Sequence, residues 1–334
     1  FTLEQTFYFL VPPYLHFINR PEMLKQAALT CCKLYISESR NSKALEAIGN
    51  AAKGHPHAAL LNVFEDKDYN RVGYTLVSFL EQGKGTSISS PLQETVLGMA
   101  TAALEGINLE GHSGNHPRLG VVDHICFHPL GESSLKQVAS LACSVAAEIA
   151  TALKVPTFLY GAAHHENRSL DAIRRELGYF KPNREGQWVG LASVPWSLSP
   201  EYGPSQVESR MGVVVVGACP WVVNYNVPIV SNDLVVGRRI ARKIGARGGG
   251  LPGVQAMALL HGNKGMEIAC NLLDAKNVGP DTVQEEVTLI AAKEGLTAEQ
   301  GYLTDYTEEQ ILETAFQRMK LIKGNNSANR SDEE

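Results

Sequence analysis

Four of the ten histidines fall in one short segment, Gly111–Gly131, which reads GHSGNHPRLGVVDHICFHPLG. Histidine titrates near neutrality, so it is well suited to taking and returning a proton at physiological pH. Gly111, Gly114, Asn115 and Pro117 exclude a helix from the first half of the segment, since glycine costs helix entropy and proline lacks the amide donor. The second half, from Gly120, has the apolar run of a strand. His116 is therefore displayed on a rigid loop just before a strand, with Arg118 beside it. That position suits a general base. His124 and His128 read as satisfied, partly buried rings. Four residues apart on a strand, they are separated by roughly 13 Å, too far for one ion to take both. His112 and His116 could meet in a loop, but a third ligand would have to be Asp123, His164 or His165, and no metal is expected. Arg118 offers a two-pronged guanidinium either to a substrate carboxylate or to a structural salt bridge. Asp123 orients this centre only if its strand returns past the loop.

The elements that must hold this loop alternate between short apolar runs and helical patterns. Leu29–Ile36, Ala58–Phe64 and Tyr74–Leu80 read as strands, and Ser42–Ala52 and Pro91–Glu105 as helices, the latter with proline at its start. Gly120–Phe127 is a strand, Ser133–Leu153 a long helix, and Pro156–Tyr160 a short strand. Lys181–Pro204, rich in proline, glycine and serine, reads as a long ordered loop. A second block follows, with strands at Gly212–Val216, Trp221–Val227, Val254–Leu260 and Glu267–Leu273. Its helices run over Ser231–Ala246, about Pro280–Glu294 and Ile311–Ile322. Such interleaving predicts an α/β fold of two related subdomains with mixed sheets, and a ligand groove between them.

Composition narrows the classes of function. Hydrophobic residues make up 44% and charged residues 19% of 334, which is ordinary for a globular chain and excludes a fibre or a disordered protein. With 30 Lys+Arg against 35 Asp+Glu, net −5, the chain as a whole is not built to neutralise nucleic acid. The basic cluster Arg238, Arg239, Arg242, Lys243 and Arg247 stands out against that balance. It reads either as a solvated helix end complementing the dipole or as a patch for an anionic ligand. Six cysteines, with only Cys31 and Cys32 adjacent, are too sparse for a disulfide scaffold and show no metal-ligand spacing. A reducing, cytoplasmic compartment is expected. No apolar run of about 18 to 20 residues predicts a membrane span. Residues 1–28 form an extension that reads poorly as a secretory signal, because Pro12 and Pro13 break it and no basic region precedes it. The chain starts at Phe rather than Met, which suggests a fragment or an upstream extension, and 324–334 reads as a disordered tail.

The loop GNHPRLGVVD, the run VPTFLYG, the segment EYGPSQVESRMG and the strand VVNYNVPI, in that order, resemble the formiminotransferase family. The resemblance runs from about Leu29 to Ile322, and its specific part is the His-Pro-Arg loop. It implies an N-terminal subdomain over 29–220 and a C-terminal one over 221–323, in a homodimer. It also implies transfer of a formimino group from formiminoglutamate to nitrogen 5 of tetrahydrofolate, the co-substrate, as in histidine catabolism. The family's catalytic histidine falls on His116. Its folate-contacting stretch falls on Gly203, Pro204, Ser205, Gln206, Val207, Glu208, Ser209, Arg210, Met211 and Gly212. A second folate-contacting turn falls within Gly248–Gly253, here taken as Gly250, Leu251, Pro252 and Gly253. Asn70 and Arg71 match a pair that an acidic residue precedes in the family. Here that aligned position is Phe64, with Glu65 and Asp66 displaced by one and two. Either a bulge restores the carboxylate or this part of the site is altered. Glu208, Ser209, Arg210 and Met211 also replace a largely apolar run. The alternatives are a folate-binding protein that has lost the transferase chemistry, and a metal-dependent hydrolase built on the histidine loop. A cyclodeaminase would need a further domain.

Overall fold

Side chains alternate strictly along the first strand, and that alternation builds the molecule. In β1 (Ala28–Ile36), Cys32, Leu34 and Ile36 enter one core, while Lys33 and Tyr35 point to the other face. The computed structural model describes residues 27–82, 88–182, 188–262 and 265–328. β2 (Ala59–Asp66), β3 (Arg71–Phe79), β6 (Val122–Gly131), β7 (Thr157–Gly161) and β8 (Val214–Ala218) join β1 in a six-stranded sheet of order β2-β3-β1-β6-β8-β7. The pairs β6–β8 and β7–β8 are parallel and the others antiparallel. β4 (Glu81–Gln82) and β5 (Ile88–Ser89) form a small separate ribbon.

Helices α1 (Ser42–Lys53), α2 (Pro91–Gly106) and α3 (Leu135–Leu153) cover one face of this sheet. Each begins on a side-chain cap: Asn41 accepts from Ala44 N, Ser90 from Leu92 N, and Ser134 with Gln137 closes a reciprocal capping box. A short helix, α4 (Leu170–Glu176), packs Ile173 against Phe158 and Val215 on the opposite face. The sequence reading places nothing there, because seven residues are too few to show a helical period.

The second sheet is antiparallel, of order β10-β11-β9-β12: β9 (Val223–Ile229), β10 (Val254–His261), β11 (Gly265–Leu272) and β12 (Tyr302–Leu303). α5 (Leu234–Ile244) and α6 (Pro280–Lys293) close its core with Ile240, Ile244, Val283 and Val287. The last helix, α7 (Glu308–Ala328), returns to the first sheet. Ile311, Leu312 and Ala315 pack on Leu29, Cys31, Leu61 and Val77 of the face that α1–α3 leave open.

The two α/β subdomains expected from the sequence are thus present, joined after Ala218. The expected disorder from Gly324 is not seen over 324–328, where α7 continues; residues 329–334 lie outside the described residues. Once its packed turns at Ile311–Ala315 have nucleated, each further helical residue adds a hydrogen bond at little cost. The extension over 1–26 also lies outside the described residues.

Candidate active site

Between the open face of the first sheet and the second sheet lies a cavity of about 1060 Å³, at the top of the usual size range for ligand pockets. Alternate residues of β6 (His124, Cys126, His128) and β1 (Lys33, Tyr35) form its floor. His116 stands at its edge, half-buried between Tyr69 and Tyr179, with ring centroids 5.3 and 6.3 Å away.

The loop carrying His116 is tied from behind. Arg118 is buried, and its guanidinium donates to the carbonyls of Tyr69 (2.9 Å) and His116 (3.0 Å) and contacts the ring of His112. Asn70, in the left-handed region at φ 50°, donates to Ser113 O at 3.0 Å and accepts from Ser39 N at 2.8 Å. Asn70 and Arg118 therefore hold the loop and do not line the cavity. The backbone carbonyls of a tight loop need donors, and these side chains supply them. Gly114 is required at the crossing, where a Cβ would meet Tyr69 O at 2.3 Å and Arg118 Nη2 at 2.4 Å.

His116 Nδ1 lies 2.7 Å from Pro117 O, so Nδ1 carries the proton and the Nε2 lone pair is free to accept one. Burial pushes its pKa well below 6.5, helped by the positive fields of Arg71, Arg174 and Arg118 and opposed by the Pro117 bond. The ring is neutral at neutral pH and competent as a base. Asp123 does return past the loop. Its Oδ1 accepts from Leu119 N at 2.6 Å, while Oδ2 takes Arg71 Nη1 at 2.8 Å and faces Arg174 Nη2 at 3.6 Å. Two guanidiniums share one carboxylate, and the buried Nε of Arg174 has no hydrogen-bond partner among the described residues. The described lining carries six cations, Lys33, Arg71, Arg174, Arg175, Arg242 and Arg247, and two acids, Asp66 and Asp171; behind it Asp123 pairs with Arg71 and Asp305 with Lys33, which still leaves an excess of positive charge. The cavity of an acidic chain is therefore positive, and it favours an anion.

A bulge precedes the displaced acid. The β2–β3 register shifts between Leu60 and Asn62, which turns Asn62, Phe64 and Asp66 together onto the cavity side and leaves Glu65 exposed. Asp66 supplies a carboxylate, accepting from Tyr69 N and from His261 Nε2, each at 2.8 Å. The hydrogen bond to Asp66 raises the pKa of His261, with Glu267 and Asp68 adding to it. Glu267, buried on β11, accepts from Tyr69, Tyr302 and Asn226. Sequence reasoning misses Tyr69, Tyr179 and Arg174, which line the cavity, and His261 and Glu267, which hold Asp66 and Tyr69 from behind it. None sits in a motif, and only the meeting of the two sheets brings them together.

The stretch expected to contact folate packs beside the histidine loop. None of Gly203, Pro204, Ser205, Gln206, Val207, Glu208, Ser209, Arg210, Met211 and Gly212 lines the cavity. Val207 and Met211 enter hydrophobic cores, Arg210 donates to Leu104 O at the end of α2 at 2.7 Å, and Met211 O accepts from Val121 N. The stretch braces the histidine loop from outside, its apolar side chains drawn into the cores. Of the second turn, Gly253 lines the cavity with Gly245 and Gly248, while Gly250, Leu251 and Pro252 do not. Here the chain folds back over the end of α5, with Leu251 N bonded to Ile244 O. The basic cluster divides: Arg239 and Lys243 pair with Glu294 at 2.8 and 2.9 Å on the surface, whereas Arg242 and Arg247 line the cavity.

Residues 29–219 match the formiminotransferase domain, N-terminal subdomain. The chain belongs to the formiminotransferase family. It is 56% identical to a formiminotransferase cyclodeaminase-like protein of Arabidopsis thaliana over 289 residues, covering 85% of this chain and 95% of that one. It is 28% identical to the glutamate formimidoyltransferase of Thermoplasma acidophilum, covering 85% and 90%. Against the formimidoyltransferase-cyclodeaminase of Sus scrofa, 29% identical, 76% of this chain spans 46% of that protein.

Proposed function

We propose that this family member is a one-carbon transferase that moves a formimino group from formiminoglutamate to nitrogen 5 of tetrahydrofolate. The observation that carries this reading is a neutral histidine, His116, at the edge of a large cavity whose charged lining is mainly cationic. Both co-substrates carry glutamate carboxylates, and Arg71 and Arg174 offer paired donors to one of them. Arg242 and Arg247, at the opposite wall on the second subdomain, suit the glutamate tail of the folate. Attack of the ring amine on the amidine-like carbon of the donor leaves a cationic nitrogen, and His116 Nε2 accepts its proton. Pro117 O, bonded to Nδ1–H, steadies the imidazolium that forms. The same proton then passes to the departing glutamate nitrogen, and the carbon–nitrogen bond to glutamate breaks. A homodimer, implied by the family resemblance, and a cytoplasmic location, expected from the sparse cysteines, are to be checked by sedimentation and cell fractionation.

The test is formimino transfer measured alongside tetrahydrofolate binding by calorimetry. The wild type should do both, and His116→Ala should bind folate yet transfer at least about 100-fold more slowly, the scale of a lost general base. Folate binding without transfer in the wild type would make the protein a folate binder only. Absence of folate binding would remove the ligand assignment altogether.

A further inference from the structure

Two thiols meet on the cavity floor, apart from the groups assigned to proton transfer and anion binding. Cys126 lies midway along β6, and Cys219 directly follows β8, the parallel neighbour. The Cys219 amide donates to Phe127 O at 3.1 Å, and this register leaves the two Sγ atoms 3.3 Å apart. His128 completes a triangle, with Nδ1 at 3.9 Å from Cys126 Sγ and 3.8 Å from Cys219 Sγ. Such a trio could hold a soft metal ion, a possibility invisible in the sequence because Cys219 is 93 residues from Cys126.

Two geometric facts favour sulfur over metal. Tetrahedral zinc with bonds near 2.3 Å would hold two thiolates about 3.8 Å apart, and these sulfurs are closer. His128 Nδ1, which faces them, also lies 3.1 Å from Cys219 O and 3.0 Å from Pro220 O. It therefore carries a proton, and metal ligation would leave its lone pair against two carbonyl oxygens. A disulfide would draw the two sulfurs together to about 2.05 Å, with the Cβ–S–S–Cβ dihedral near a right angle.

We propose that Cys126 and Cys219 form a reversible dithiol–disulfide couple, a modification site for small aliphatic disulfides that enter the cavity. Burial raises the Cys126 thiol, but the hydrogen bond from Cys219 and the adjacent His128 outweigh it and hold that thiol well below its ordinary range. The same bond, with desolvation adding to it, raises the half-buried Cys219 thiol. This asymmetry suits one attacking thiolate and one resolving thiol. The Cys126 thiolate attacks a disulfide RS–SR, whose bond breaks to release RS⁻ and leave a Cys126–SR mixed disulfide. Cys219 gives its proton to that thiolate, and its sulfur attacks Cys126 Sγ, expelling the second RS⁻. Two protein thiols lose two electrons in all, and the incoming disulfide gains them. Both sulfurs line the cavity that His116 borders, so their oxidation state changes its wall.

The experiment titrates the full chain with oxidised glutathione against reduced glutathione, then traps free thiols by alkylation and maps the peptides by mass spectrometry. The expected result is a Cys126–Cys219 cross-link, a chain mass lower by two hydrogens, and reversal by dithiothreitol. Cys143, partly exposed on α3 and outside the cavity, should stay out of the cross-link. In Cys219→Ser the reaction should stop at glutathione on Cys126. Both thiols remaining alkylatable across the whole titration of the wild type would overturn the proposal. So would stoichiometric zinc in the purified wild type that is lost in Cys126→Ser, which would make the trio a metal site.

Discussion

A histidine held neutral by burial and by nearby arginines loses its function as a base only in acid. For His116 the depressed pKa predicts that the acid limb of kcat/KM, measured at subsaturating substrate, lies below pH 6.5, the ordinary histidine value. A limb at or above that value would contradict a base set among Arg71, Arg174 and Arg118. Arg174 allows a separate test, because its Nε is buried without a partner among the described residues. Arg174→Met should raise KM for the formimino donor about tenfold to a hundredfold, the scale of a charged hydrogen bond, and leave tetrahydrofolate affinity unchanged. At this scale the sequence is half legible. The loop chemistry around His116 is local, so it can be read from Gly114, Asn115 and Pro117. The cations at the site cannot. Arg118 stands close to His116 in sequence and is spent on loop carbonyls, whereas Arg174 stands on a helix too short to show a period.

Among the elements, the most exacting join is the one α7 needs. Asp305, just ahead of that helix, lies buried and accepts from Lys33 Nζ at 3.0 Å, Thr75 Oγ1 at 2.8 Å and Asn62 Nδ2 at 3.1 Å, on three strands of the first sheet. Lys33 also donates to Val222 O and lies over the Trp221 ring. Lys33→Met leaves the carboxylate buried and uncompensated, and should cost about 3–5 kcal/mol in urea unfolding. Lys33→Met with Asp305→Leu should recover much of that loss; equal loss in the single and double variants would show that the pair is not the source. Most strands and helices can be read from apolar alternation within a few residues of their ends. The β2 bulge cannot, and it decides which side of the strand carries the acid. Neither can the return of α7, since Ile311, Leu312 and Ala315 mark an apolar stripe without naming the sheet it will cover.

For the whole molecule, the buried ionisable groups set how stability answers to pH. His116 and His124 have folded pKa values below 6.5, so the unfolded chain binds protons that the native one refuses. Their contribution weakens as pH falls below 6.5. Glu38, burial opposed by bonds from His112, Arg40 and Asn41, is held at about 2; the stability it confers above pH 4.5 is lost as pH falls towards 2. His261 has the opposite sign: its raised pKa stabilises below 6.5, and that share is lost as pH rises through the folded value. Calorimetry should therefore show the melting temperature falling steadily on acidification from neutrality, with a smaller decline on the alkaline side that His261→Gln flattens. A melting temperature that rises between pH 6.5 and 5 would mean that His116 and His124 are not buried as neutral rings.

The path of α7 also bears on how a ribosome must deliver this fold. Every strand of the first sheet has emerged by Ala218, yet Leu29, Cys31, Leu61 and Val77 wait for Ile311, Leu312 and Ala315 near the end of the chain. Lys33 likewise waits for Asp305. During synthesis the first half therefore carries an uncovered apolar face and an unmatched buried cation, in the kind of long-range arrangement that folds slowly and exposes chains to aggregation. The nascent protein has a window in which it is most in need of a chaperone, and that window closes only when the last helix arrives.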